Sequence, residues 1–210
     1  MQALKIDSEI LIAGAGPTGL ALAAELKLQG ADPLIIDRQV AGTNTSRACV
    51  VHARTLEVLE PLGVTADLLA HGIKVPIFRI RDRDSVLITI DFSEIPSAYP
   101  FTLMCPQDRV ERYLLSHFEG LGGGVIRPCE LIGCEPMESH VEIRVRAEKT
   151  TKTIKADWLI GCDGMHSIVR EQSGIAFTGA AYEQDFVLAE PERGHSILLT
   201  QGAGSSCTTS

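Results

Sequence analysis

The chain has 210 residues, 45% of them hydrophobic and 22% charged, with a formal net charge of −8. That length and composition suit one good-sized globular domain burying roughly 70% of its unfolded surface, and the acidic balance argues against a general nucleic-acid or anionic-membrane role. The six cysteines (Cys49, Cys105, Cys129, Cys134, Cys162 and Cys207) form no C-x-x-C pair or zinc spacing, and the six histidines show no helical i, i+4 pairing, so no metal is expected. Several of the cysteines sit in apolar runs, where a free thiol behaves as a small hydrophobe. With no basic, apolar and cleavage pattern at the N-terminus and no apolar run long enough to span a bilayer, a reducing, cytoplasmic setting is expected.

Residues 9–13 are a short apolar run of strand character, followed by Gly14-Ala15-Gly16-Pro17-Thr18-Gly19 and then by residues 20–29, rich in Ala and Leu. Strand, glycine turn and helix follow without a gap. Gly14 permits the tight turn, Gly16 lets a phosphate approach the backbone, and Gly19 lets helix and strand pack closely. Pro17 pre-sets the first helical turn and Gly30 ends the helix. Free N–H groups of that turn, with the helix dipole behind them, make an anion site. A second strand, residues 33–37, ends in Asp37 about twenty residues beyond the glycines, where a carboxylate accepts hydrogen bonds from an adenosine ribose and disfavours a 2′-phosphate. The unit predicts dinucleotide binding, and NAD, NADP and FAD all present the same diphosphate to it.

Residues 38–48 read as a polar loop too long for a simple connection, with Arg47 near its end. Leu56, Leu59 and Leu62 then give one apolar helical face, and a second short helix over 66–71 takes Thr65 as its cap and Gly72 as its stop. From 77 to 92 the period changes to alternation around Arg81-Asp82-Arg83-Asp84-Ser85, which predicts a hairpin in a separate layer. Residues 93–100, with two prolines, read as irregular. Helical spacing returns with Val110, Tyr113, Leu114 and Phe118, so Gln107 falls at a helix N-terminus at the mouth of the sheet. Short strands are expected at 125–126, 130–134, 141–145 and 153–155, then an apolar strand at 157–160 that contains Trp158 as a core residue and leads to Asp163-Gly164, with Ser167, Val169 and Arg170 on a short helix beyond. One more strand is expected over 185–189, and residues 202–210, small and polar, are expected to be disordered.

In combination these stretches resemble the FAD-dependent aromatic hydroxylases, the single-component flavoprotein monooxygenases similar to para-hydroxybenzoate hydroxylase and phenol hydroxylase. The resemblance rests on Gly14-Ala15-Gly16-Pro17-Thr18-Gly19 with Asp37-Arg38, on Ser46-Arg47-Ala48 leading into His52-Ala53-Arg54-Thr55-Leu56-Glu57, on Pro106-Gln107-Asp108-Arg109-Val110-Glu111, and on Gly161-Cys162-Asp163-Gly164 with Ser167 and Arg170. It implies an α/β fold: a Rossmann-like FAD-binding domain over 1–189, with 74–105 as the first part of an antiparallel substrate layer and 190–210 as an unmatched tail. By the same resemblance Gly14, Gly16 and Gly19 hold the FAD diphosphate and Asp37 the adenosine ribose. Arg47 meets the diphosphate or ribityl region, Gln107 contacts the ribityl side, and Asp163-Gly164 serves the FAD and is linked to NAD(P)H use. In the family, reduced flavin reacts with O₂ to give a hydroperoxide that transfers one oxygen atom to an aromatic or phenolic substrate. Members run well beyond 210 residues and carry a later Gly-Asp motif that has no counterpart after Asp163-Gly164, so the chain resembles an N-terminal portion of such an enzyme. Two other readings stay open on the residues alone: a pyridine-nucleotide dehydrogenase, which needs only the phosphate loop, and a non-catalytic remnant that keeps the fold.

Overall fold

The computed structural model describes residues 7–42, 50–179, 186–188 and 199–201. The chain divides into two units, residues 1–175 and 176–210. In the first, β1 (Asp7–Ala13), α1 (Pro17–Leu28) and β2 (Leu34–Ile36) follow as expected. Pro17 occupies the first turn of α1, and Gly30, at φ +87°, turns the chain away after it. β1 is buried on both faces, and its side chains divide by parity. Ile12 joins the core under the helices, while Leu11 and Ala13 join a second core formed with the far strands of the sheet.

Then come β3 (Val50–Val51), α2 (Ala53–Leu59), α3 (Val64–His71), β4 (Ile73–Val75), β5 (Ile77–Asp82), β6 (Ser85–Asp91) and β7 (Thr102–Met104). The expected hairpin is β5–β6, a two-stranded antiparallel sheet of its own. Residues 93–98 are turns and bends, and 99–100 are without regular structure. The sheet β3-β7-β4 has strands of only two or three residues, too short to show a period, and was not expected. Thr65 is not the cap of α3. The helix starts two residues earlier than expected, at Val64 behind Gly63 at φ +77°, and the buried Thr65 hydroxyl donates to the Leu56 carbonyl at 2.7 Å, tying α3 to α2. Gly72 does stop α3, and a Cβ there would lie 2.7 Å from Cγ of the buried Leu103.

α4 (Gln107–Gly120) buries Val110, Leu114 and Phe118 against α1 and β1. Beyond it lie β8 (Val125–Ile126), β9 (Glu130–Pro136), β10 (Val141–Ala147), β11 (Thr150–Gly161) and α5 (Ile168–Gln172). The main sheet runs β8-β2-β1-β11-β10-β9, parallel as far as β11 and antiparallel beyond it. β11 is one strand of 12 residues where two short ones were expected. Nothing between Lys155 and Asp157 breaks the chain: Ala156 is buried and pairs with Val141 on one side and Ser8 on the other. The same strand therefore closes the antiparallel half and opens the parallel half.

Trp158 is not a core residue. It is 66% exposed, in the last third of β11, where it pairs with Ile10 of β1. In the second unit β12 (Phe186–Leu188) pairs antiparallel with β13 (Leu199–Gln201). The former falls within the expected strand, and the latter lies inside the segment read as a tail. The expectation of disorder for 202–210 lies outside the described residues.

Candidate functional site: the carboxyl edge of the parallel strands

Register decides where the site falls. Ala13 pairs with Ile36 and with Gly161, and Ile36 pairs with Ile126, so four parallel strands end on one level. The residues just past that level, Gly14, Asp37, Arg127 and Cys162, share one edge of the sheet, and open α/β sheets bind ligands outside the carboxyl ends of their strands. Backbone bonds fix the edge: Gly14 N–H donates to Ile36 O at 2.8 Å, Asp37 N–H to Ile126 O at 3.1 Å, and Cys162 N–H to Ala13 O at 2.7 Å.

The three motif glycines differ in what surrounds them. A Cβ on Gly14, which has φ +103°, would lie 2.3 Å from the Cys162 carbonyl oxygen, and one on Gly19 would lie 1.9 Å from the Gly14 carbonyl oxygen. Both are packing requirements of the turn. A Cβ on Gly16 would meet nothing within 4 Å, so its missing side chain leaves open space at the first turn of α1. Gly16 is also the N-cap of α1 and provides no side-chain acceptor there. First-turn N–H groups are thereby left for a ligand, with a helix dipole worth roughly 0.3–1 kcal/mol towards an anion.

A cleft of about 320 Å³ opens over this edge. It is lined by Gly14, Ala15, Gly16, Pro17, Thr18, Asp37, Arg38, Gln107, Asp163 and Gly164, each a residue singled out from the sequence. Gly19 lies buried beneath the loop. Arg47 falls outside the described residues. Asp37 accepts the Ala15 N–H on Oδ2 at 2.7 Å and the Gln39 N–H on Oδ1 at 2.8 Å, so it holds the glycine loop to the end of β2. Gln107 is the first residue of α4, and its Nε2 donates to Oε1 of Glu111 one turn on, at 2.9 Å. Asp163 Oδ2 accepts the N–H groups of Ile168, at 2.8 Å, and Val169, at 3.4 Å. With the Ser167 hydroxyl accepting from Arg170 N–H, it starts α5.

Other residues of the cleft were given no role from the sequence. Arg127, just past β8, donates from Nη2 to the Ala15 carbonyl at 3.1 Å. Glu111, buried on α4, holds Gln107, and Glu130, Cys129 and His166 are also in the wall. Glu111 was legible in principle, because it lies four residues after Gln107 on one helix face. Arg127 was not, since only the pairing of β8 with β2 brings it to this edge. Burial pushes the Cys129 thiol up, and burial with the Asp163 carboxylate pushes the Cys162 thiol up, so neither is a ready nucleophile. Among the described residues no group of three or more His, Cys, Asp or Glu is placed to hold a metal.

Two buried polar atoms in the wall lack a partner among the described residues: Oδ1 of Asp163, an acceptor, and Nε of Arg127, a donor. A ligand carrying both hydroxyls and phosphates answers both needs, and a dinucleotide is such a ligand. The fold and this edge thus define a dinucleotide-binding α/β protein.

The chain belongs to the FAD binding domain family, whose model matches residues 7–193. It is similar to 6-methylpretetramide 4-monooxygenase from Streptomyces rimosus, 38% identical over 94% of this chain and 37% of that protein. It also resembles pentachlorophenol 4-monooxygenase from Sphingobium chlorophenolicum, 35% identical over 85% of this chain and 34% of that protein. Among solved structures, an anhydrotetracycline hydroxylase from Streptomyces rimosus superposes with a TM-score of 0.73 at 32% identity, over 89% of this chain and 36% of its own. The chain therefore spans a little over a third of the length of these relatives. The family match favours the flavin reading over the dehydrogenase.

Proposed function

We propose that the chain is the FAD-holding portion of an NAD(P)H-dependent monooxygenase that uses O₂ to hydroxylate an aromatic or phenolic small molecule. The observation that carries this reading is the register-matched edge, which gathers the glycine loop, Asp37, Gln107 and Asp163 around one cleft in a chain of the FAD binding domain family. Relatives named as monooxygenases of 6-methylpretetramide and pentachlorophenol support the reaction and its substrate class.

In this reading the domain is Rossmann-like. The N–H groups after Gly16 take the diphosphate, and Arg47 joins them there. Asp37, with Arg38 beside it, takes the adenosine ribose, and Gln107 and Asp163-Gly164 face the ribityl side. When bound, the flavin supplies the redox and oxygen-transfer chemistry, and the chain supplies position and electrostatics. Four carboxylates line the cleft, Asp37, Glu111, Glu130 and Asp163, with two arginines, Arg38 and Arg127, so anion binding rests on N–H groups and those few cations rather than on a positive field. The FAD domain covers 1–189, with 74–105 as the first part of the substrate-binding layer. A cytoplasmic setting fits the reductant; among the described residues no helix is long and apolar enough to cross a membrane.

Calorimetric titration with FAD and, separately, with NAD tests the reading. Saturable FAD binding with no NAD binding in its absence is expected, and the opposite pattern would establish the dehydrogenase alternative. Anaerobic bleaching of bound flavin by NADH or NADPH then identifies the reductant.

A further inference from the structure

Arg127 has no role in the sequence motifs, yet it stands at the centre of the cleft's polar wiring. It follows β8 directly, and the pairing of Ile126 with Ile36 sets it beside Asp37 at the carboxyl edge. The two side chains hold one residue of the glycine loop from opposite sides: Asp37 Oδ2 accepts the Ala15 N–H at 2.7 Å, and Arg127 Nη2 donates to the Ala15 carbonyl at 3.1 Å. That single bond uses one of the guanidinium's five N–H donors. Nε is buried without a partner, and among the described residues no carboxylate forms an ion pair with Arg127, although four line the same cleft.

A guanidinium stays charged at any working pH, and a buried donor left unmet is costly, more so on a charged group. The site therefore has a fixed positive charge with donors to spare, on the Asp37 side of the loop. The position matters. β8 lies outside β2 in the sheet, so Arg127 is on the flank of Asp37 away from β1, while its reach to Ala15 brings the charge in under the phosphate turn.

We infer that Arg127 is a cofactor-binding residue that braces the glycine loop through Ala15 and gives its remaining donors to the adenylate half of FAD, the ribose and its phosphate. This rests on the FAD reading proposed above. It also divides the cleft's labour: the loop N–H groups meet the diphosphate from the first turn of α1, and Arg127 meets the adenylate phosphate from the end of β8 on the same edge.

The test uses the 210-residue chain with ADP as the probe for the adenylate half and FAD as the whole cofactor, followed by calorimetry from 50 to 300 mM NaCl. Arg127→Met is expected to weaken ADP and FAD at least tenfold and to flatten the salt dependence of ADP binding, because it removes the charge. Arg127→Lys, which keeps the charge, is expected to retain the wild-type salt slope and most of the affinity. Circular dichroism and thermal melting of the free chains check that both variants fold. ADP binding by Arg127→Met equal to wild type would overturn the inference and leave the FAD reading standing. Weaker binding with an unchanged salt slope would also overturn it, by reducing Arg127 to a brace of the loop. Failure of the folded wild-type chain to bind either ADP or FAD would instead remove the FAD reading itself and the inference with it.

Discussion

The parallel half of the main sheet and the β5–β6 hairpin use similar apolar residues to opposite effect. In the first, Leu11, Ile12, Ile35 and Ile36 are fully buried between α1, α4 and the far strands, and the cleft sits on their ends. In the second, Ile80, Val86, Leu87, Ile88 and Ile90 all stand exposed, on both faces of a two-stranded sheet. A lone hairpin is at best marginally stable in water, and apolar side chains on both of its faces call for cover. Among the described residues the carboxyl edge of the parallel strands is backed by packed core, whereas the hairpin, proposed as the first part of a substrate layer, is not. The difference follows from strand context: the same Ile and Val alternation becomes core where a helix lies over it and surface where none does.

The contrast is sharpened most by removing bulk from each region. Phe118→Ala, in the core beneath α4, is expected to cost about 3–5 kcal/mol in urea unfolding. Leu87→Ser in the hairpin should stay within about 0.5 kcal/mol. A large loss from Leu87→Ser would show the hairpin to be integrated in the core after all.

Within the glycine loop the same logic separates fold from ligand. Gly19→Ala forces a Cβ into the Gly14 carbonyl and is expected to cost about 3 kcal/mol or more. Gly16→Ala meets open space, so its stability should stay within about 1 kcal/mol of wild type, while FAD affinity falls at least tenfold. Equal FAD affinity for Gly16→Ala would mean that no ligand approaches the backbone there.

The smallest effect lies where the two regions join. The Ser97 hydroxyl donates to Oε1 of Glu57 at 2.6 Å, tying the segment after the hairpin to α2, and this bond, helped by Arg54, holds the Glu57 carboxyl below its usual value of 4.5. A depressed folded-state pKa contributes stability that is present above the unfolded value and lost as pH falls through the folded one. The stability gap between wild type and Ser97→Ala should therefore be constant from neutral pH down to about 5 and shrink below about 4. A gap unchanged at pH 3 would show that the hydroxyl acts by packing alone.

Much of the cleft at the carboxyl edge was legible because one βαβ unit encodes it locally. Strand, glycine turn, helix and terminal Asp37 lie within thirty residues, and each step has its own residue chemistry. Gln107 and Asp163 were found as ends of further elements, where helix and strand signals locate them. Arg127 stayed hidden because its partner, Ala15, is 112 residues away and β8 has two residues, too few to announce a register. The exposure of Trp158 was misread for a related reason. An apolar strand reads as buried, but burial depends on which helix lies over which end of it, and that is a tertiary fact.

The most direct measurement is the visible spectrum of the 210-residue chain after incubation with FAD and removal of the excess on a desalting column. A yellow protein carrying about one flavin per chain is expected, because loop, Asp37, Gln107 and Asp163 already converge on one cleft. A chain that is folded by circular dichroism yet elutes colourless would contradict it.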